Sequence, residues 1–190
     1  MKNKKLILLF ICFICFSFIS CSSSDSKSNN ELLEINTPSI ASINNSLGND
    51  GMSDVNVKLI KIIRGDEAQA LVDKFNQNSS LKINLSYMNK NDLEFGICDI
   101  ELTIPNDLNV PEEGISPILD VKITGSNKED LVYNKFKYPD LPGTFISNFS
   151  NVKNGETVTC SYAFTIPKNC KDYAIAIGNE YFKRIFYKGL

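Results

Sequence analysis

Histidine and tryptophan are absent from this chain of 190 residues. Without histidine the chain cannot use serine–histidine or cysteine–histidine catalysis, and it lacks the commonest metal ligand. Glycine-rich phosphate loops, paired-cysteine metal motifs and calcium loops of alternating oxygen ligands are also missing from the sequence. We therefore predict that the protein has no cofactor and no bound metal and is not an enzyme.

Runs of basic residues are missing as well. The chain has 20 lysines and arginines against 22 aspartates and glutamates, for a net charge of −2. Proteins that bind nucleic acids usually carry a basic patch or stripe. The composition therefore argues against a nucleic acid as partner.

Residues 1–20 have the pattern of a signal peptide. Lysines at positions 2, 4 and 5 precede an apolar run over residues 6–20. A membrane-spanning helix needs about 20 apolar residues, so this run is too short for one. We predict that residues 1–20 are removed and that the mature chain lies outside the cytoplasm.

The end of this leader resembles a bacterial lipobox. Residues 18–21 read Phe-Ile-Ser-Cys and are followed by a serine-rich tract, with Phe18 where the usual pattern has leucine. The resemblance implies lipidation of the Cys21 thiol with acyl chains such as palmitate, cleavage before Cys21, and anchoring to the cell membrane on the extracytoplasmic side. The alternative is an ordinary secretory signal in which Cys21 has no special role.

Three cysteines remain beyond Cys21, at Cys98, Cys160 and Cys170. An odd number allows at most one internal disulfide, and the sequence does not determine its pairing. A domain of this size does not need a disulfide to be stable, so free thiols buried in strands are an equally good interpretation.

Residues 21–53 predict a lipidated cysteine followed by a disordered polar tether. Residues 22–30 contain no apolar side chain, and residues 31–53 are rich in asparagine, serine, glycine and proline. A flexible tether of about 30 residues has a reach on the order of 30 Å. The folded domain is predicted to span 54–190.

The start of this domain changes from a strand pattern to a helix pattern. Val55, Val57 and Leu59 alternate with polar residues, which predicts a half-buried strand. One apolar stripe then predicts a short helix over about 66–76, with Asp66 as its N-cap; the stripe consists of Ala68, Leu71, Val72 and Phe75.

The rest of the chain has strand patterns. Strands are predicted over about 81–87, 93–104, 119–123, 131–138, 156–167, 173–177 and 181–187. The apolar residues of 93–104 change parity at Cys98–Asp99, which predicts a β-bulge there. The clearest strand places alternate residues inward, namely Val158, Cys160, Tyr162, Phe164 and Ile166. The spacing of strands and turns predicts an antiparallel β-sandwich.

Short motifs lie at 64–68, at Asn76 and Asn78, at 111–114, at 155–158 and at 164–168. Together they resemble an immunoglobulin-like domain family of unknown function found in Gram-positive lipoproteins. The resemblance implies an immunoglobulin-like antiparallel β-sandwich with one short helix after the first strand. The family's Pro-x-x-Gly follows the helix closely, whereas Pro111 is distant here. Residues 81–104 are therefore either an insertion or core strands.

We considered three classes of function. The leading hypothesis is a non-catalytic, lipid-anchored binding module of the cell envelope with an unidentified envelope or extracellular protein as partner. The alternatives are a small-ligand carrier with a barrel-like interior and a carboxylate-based hydrolase. Loops at the ends of a sandwich commonly form its recognition surface, and the longest here is predicted at 139–154.

Two further motifs have both a structural and a functional interpretation. Arg64-Gly65-Asp66 is the tripeptide read by integrins when it lies on an exposed loop, but here it introduces the predicted helix. Aromatic and basic residues at 181–188 fit two interpretations. They form an adhesive or membrane-facing surface patch, or they form a final strand with one face in the core.

Overall fold

The computed structural model describes residues 31–44, 51–80, 82–83, 92–108, 110–133, 136–138, 143–147 and 150–190. Within this part, Leu32–Leu190 belong to one compact unit. The predicted mainly β fold, an antiparallel sandwich with one short helix, is confirmed. Cys21, the predicted lipidation site, lies outside the described residues.

The described elements are one helix and ten strands. In chain order they are β1 (Ser39–Asn44), β2 (Met52–Arg64), α1 (Asp66–Asn78), β3 (Leu93–Thr103), β4 (Val121–Gly125), β5 (Leu131–Tyr133), β6 (Phe136–Tyr138), β7 (Thr144–Phe145), β8 (Thr157–Pro167), β9 (Tyr173–Ile177) and β10 (Ile185–Lys188). One sheet has the order β1-β2-β3-β8-β7 and the other β10-β9-β4, while β5 and β6 form a separate pair. Every strand pair is antiparallel.

The main core lies between the five-stranded and three-stranded sheets. Phe164 and Ile100 of the first sheet and Ile175 and Tyr187 of the second belong to this one cluster, and each is at most 2% exposed. The predicted inward face of 156–167 is confirmed by the burial of Cys160, Phe164 and Ile166, while Val158 and Tyr162 are partly buried against the same core.

A second core lies on the opposite face of the five-stranded sheet. Ala68 and Val72 of α1 pack there with Phe95 and Ile97 of β3 and with Ala163 of β8. Ala68, Val72 and the partly buried Phe75 of the predicted stripe thus cover one part of the sheet that would otherwise face water, whereas Leu71 is 40% exposed and does not belong to the packed face.

These two cores explain the change of parity in β3. Phe95 and Ile97 contact the helix, whereas Cys98 and Ile100 face the other sheet. The bulge predicted at Cys98–Asp99 is wrong, because β3 pairs with β8 without interruption from Leu93 to Thr103. The register shift lies instead on the neighbouring β2, between Leu59 and Lys61.

The predicted N-cap is wrong by one residue. The helix begins at Asp66, and Gly65 occupies the cap position with φ 69°. That φ lies in the left-handed region, which a glycine adopts without the steric cost of a Cβ. The helix also ends at Asn78, slightly beyond the predicted end.

The predicted start of the domain at residue 54 is wrong. Ser39–Asn44 form β1, which pairs with β2 through six consecutive residues, so residues 31–44 and 51–53 belong to the domain and not to a disordered tether. Ala41 and Ile43 alternate with polar residues and are buried in the main core. Because their neighbours are mostly polar, the local composition is typical of a linker and does not indicate this short strand.

The segment before β1 is attached to the opposite sheet. The Leu33 amide donates to the Phe186 carbonyl at 2.8 Å, and the Lys188 amide donates to the Leu33 carbonyl at 2.8 Å. The Tyr187 hydroxyl donates to the Thr37 carbonyl at 2.7 Å. The domain therefore begins near residue 31.

Other predicted elements have mixed outcomes. The strand predicted over 81–87 lies almost entirely outside the described residues, and Lys82 and Ile83 have no strand assignment. The short strand β7 lies within the loop predicted over 139–149. The last strand begins at Ile185, so residues 181–184 form part of a turn and not of a strand.

We expect the two isoleucines of β1 to respond differently to truncation. Ile43 is 1% exposed and Ile40 is 41% exposed. Ile43→Ala should lower the free energy of unfolding by about 2–5 kcal/mol because it leaves a cavity in the main core. Ile40→Ala, the matched control, should cost about 1 kcal/mol or less. Urea denaturation measures the free energy of unfolding of both variants. Equally small losses of stability in the two variants would indicate that this segment is a tether and not a buried strand.

Candidate functional site

A cleft of about 340 Å³ lies beside the edge strand β4. Its walls come from three parts of the chain: residues 120–123, Gly143 with residues 162, 164 and 165 of β8, and the turn between β9 and β10. Small-molecule and peptide sites are typically concave and combine apolar surface with a few polar groups. This cleft has both kinds of side chain.

The wall formed by β4 is held by the three-stranded sheet. The Gly178 amide donates to the Asp120 carbonyl at 2.9 Å, so the ladder of β9 continues to Asp120. Val121 pairs with Ile177 and Ile123 with Ile175. The backbone of this wall is thus fixed by a regular sheet.

A second wall is the turn at residues 179–184. The Asn179 amide donates to the Ser42 carbonyl and the Ser42 amide donates to the Lys183 carbonyl, each at 3.0 Å. The Arg184 side chain donates to the Gly178 carbonyl at 2.9 Å. Strand β1 therefore positions this turn, although the sequence pattern predicts a strand there.

Gly178 is required for the path of this turn. Its φ is 104°, and a Cβ there would lie 2.4 Å from the Lys183 carbonyl oxygen and 2.9 Å from Ala41. Glycine alone combines this φ with so close an approach.

Tyr162 forms the opposite wall. Its ring packs edge-on against Phe145 with centroids 5.0 Å apart. Gly143 lies against the Tyr162 hydroxyl so closely that a Cβ would overlap it. Burial, with smaller contributions from the charges of Cys98 and Asp120, raises the pKa of Tyr162 to about 12.

The most exposed aromatic side chains of the described residues lie at the 179–184 turn. Tyr181 is 84% exposed and lines the cleft, and the adjacent Phe182 is 64% exposed. An exposed aromatic pair is a common feature of recognition surfaces because each ring buries a large area on binding. The two interpretations of residues 181–188 apply to different parts of the segment. Tyr181 and Phe182 lie in an exposed turn, as a surface patch requires, and Tyr187 lies in the core, as a final strand requires.

The charges of the cleft are largely paired. Lys122 forms an ion pair with Asp130, and Arg184 lies 3.3 Å from the Glu180 carboxylate. Asp120 makes no side-chain hydrogen bond or ion pair within the described ranges. The uncompensated charge of the cleft is therefore negative.

All three described cysteines are free thiols in the structure. Cys98 and Cys160 are buried on neighbouring strands and face the same core, since Cys98 pairs with Tyr162 and Ile100 with Cys160. Burial raises the pKa of Cys98 well above its ordinary value and that of Cys160 to about 12. Burial also raises the pKa of Cys170, which lies apart near Arg64. Cys98 and Cys160 match the interpretation of free thiols buried in strands, whereas Cys170 is partly buried and lies between β8 and β9.

Arg64 of the integrin-like tripeptide is not available for recognition. Its side chain is 13% exposed and pairs with Glu94 at 2.7 Å. It also donates to the carbonyls of Pro167 and Cys170, and its guanidinium lies 5.3 Å from the centre of the Tyr173 ring. Arg64 therefore joins β2 to the connection between β8 and β9.

The described residues contain no group of three or more side chains that could hold a metal ion. No helix among them has the length and apolar composition needed to cross a membrane.

The chain matches no protein-family model, no curated protein and no solved structure. Membership of the immunoglobulin-like lipoprotein family therefore stays a prediction from the motifs.

We expect the domain to lose stability in strong alkali. Because folding raises the pKa of Tyr162 from 10.0 to about 12, the stabilising contribution is complete below pH 10 and falls as the pH rises to about 12. Tyr162→Phe should reduce the difference in unfolding free energy between about pH 9 and about pH 11.5. An unchanged difference in Tyr162→Phe would contradict this assignment.

Proposed function

We propose that the mature chain is a lipid-anchored, extracytoplasmic binding module of a bacterial cell envelope, and that the cleft is its recognition site. The observation that carries the proposal is the placement in one cleft of the exposed Tyr181 and of Asp120, which has no ion-pair partner among the described residues. An aromatic side chain beside a charged group provides both contact area and specificity.

The lipobox-like residues support the anchor. The described part of the chain begins at Glu31, and residues 21–30 lie between it and the predicted lipid. A chain of ten residues spans at most about 35 Å when fully extended. The corrected domain boundary therefore places the domain closer to the membrane than a tether of residues 21–53 would.

The absence of catalysis is part of the proposal. General acid–base catalysis needs a group whose proton moves near neutral pH. The two cleft carboxylates are those of Asp120 and Glu180, and Glu180 is ion-paired with Arg184 and half exposed. This pairing favours recognition over glycoside hydrolysis, in which one carboxyl group must be protonated in a desolvated site.

A small-ligand carrier is less well supported. A carrier of this kind needs an interior space between its sheets. In the described part of the chain, large side chains such as Tyr173, Phe164 and Tyr187 fill this region at 2% exposure or less. The cleft at the sheet edge is the better place for a ligand.

The anchor is tested by metabolic labelling of bacterial cells that produce the full chain. A fatty-acid probe should label the wild type, and Cys21→Ala should abolish the label because the thiol that would receive the diacylglyceryl group is gone. Ser22→Ala is the matched control and should keep the label. Labelling that persists in Cys21→Ala would refute lipidation at this residue.

The recognition site is tested by photo-crosslinking in the same cells. A benzoyl-phenylalanine at position 181 should give an adduct whose yield falls several-fold with Asp120→Asn, because the aromatic ring and the carboxylate share one cleft. The same probe at Lys74, exposed on α1, is the control and should not give that adduct. An adduct at 181 that is independent of Asp120, or the same adduct from position 74, would contradict the cleft as recognition site.

A further inference from the structure

Among the residues that the structure describes, no strand pairs with the outward edge of β4 at Val121. Strand β4 is the last strand of its sheet, with β9 on one side. On the other side the described chain contributes a bridge between Thr124 and Asp130, at the end of β4 away from Asp120. Edge strands with unpaired N–H and C=O groups are templates for pairing with another chain.

Two hydrogen bonds determine which residues face this edge. The Asp120 carbonyl accepts a hydrogen bond from the Gly178 amide, on the side of β4 that faces β9. The Gly125 amide donates to the Glu129 carbonyl on the other side of β4. In an antiparallel strand these directions alternate from residue to residue. Lys122 and Thr124 therefore bond to β9. Val121 directs both backbone groups to the outer edge and Ile123 directs its N–H there, whereas the bridge between Thr124 and Asp130 brings the Ile123 carbonyl to β5.

We propose that this edge binds an extended peptide segment by strand addition. The N–H and C=O of Val121 and the N–H of Ile123 would form backbone hydrogen bonds with the peptide, as in other cases of β-augmentation. The inference rests on the proposed function, since it names the partner class of the same cleft.

The side chains of β4 define the pattern of this peptide. Ile123 faces the main core, and Val121 is partly buried against it. Asp120 and Lys122 lie on the opposite face of the strand, because successive side chains alternate. Lys122 is neutralised by Asp130, which leaves Asp120 to interact with the ligand. A segment of alternating apolar and basic residues fits both faces.

The probe for this inference is a synthetic capped peptide of alternating lysine and valine, titrated by calorimetry into the full chain in a neutral detergent. We expect binding that weakens with added salt, because exposed charge pairs are screened. A valine–glutamate peptide should bind at least about tenfold more weakly, and Asp120→Asn should abolish that preference. Equal binding of both peptides to the wild type would overturn the basic specificity.

Val121→Pro tests the backbone contact directly. It removes the outward N–H without breaking a bond to β9, and proline is tolerated on such an edge. Affinity should fall by about tenfold, whereas Val121→Ala, which keeps the N–H, should change it by about twofold or less. Unchanged affinity in a folded Val121→Pro would overturn strand addition.

A second experiment uses the wild-type chain and therefore does not depend on whether Val121→Pro folds. A lysine–valine peptide with N-methylated backbone amides keeps its side chains but cannot extend the sheet, so it should lose binding. Hydrogen exchange should show protection of the Val121 and Ile123 amides by the unmodified peptide only. Binding of the methylated peptide, or binding of a chitin oligosaccharide in place of both peptides, would overturn this inference. The crosslinking test of the cleft would still stand in that case, so the two proposals fail separately.

Discussion

The structure depends on the burial of β3 on both faces. Its first half packs against the helix through Phe95 and Ile97, and its second half packs against the three-stranded sheet through Ile100 and Leu102. Because neighbouring strands pair with β3 along its length, they share the same division between the two cores. The helix, the sandwich and the path of β2 with its register shift all follow from one strand that has no solvent-facing side at its centre.

The elements that could be predicted from the sequence are those with a long, regular apolar period. The alternation around Phe164 and the helical stripe of Ala68 and Val72 indicated the correct elements and the correct faces. The parity change in β3 was visible, but its cause was not, because a bulge and a strand buried on both faces produce the same pattern. Pairing with β8 distinguishes the two explanations.

Short elements with polar neighbours could not be predicted in this way. Strand β1 contributes two buried side chains, Ala41 and Ile43, within a serine- and asparagine-rich segment. The cleft was missed for a related reason: Asp120, Tyr162 and Tyr181 are far apart in sequence, and only the pairing of β4 with β9 and the docking of the 179–184 turn on Ser42 bring them together. Gly178 and Asn179 were the sequence signal for a turn, but the aromatic residues that follow suggested a strand.

The attachment of the N-terminal segment has a mechanical consequence. The chain enters beside Phe186 and Lys188 at Leu33, and β1 then runs to Ser42, where the 179–184 turn is docked. A pull on the N-terminal end of the chain therefore meets backbone hydrogen bonds to both sheets: those of Leu33 with β10 and those of β1 with β2. Under the proposed anchoring, the first strand would leave the domain only after both sets of bonds had broken.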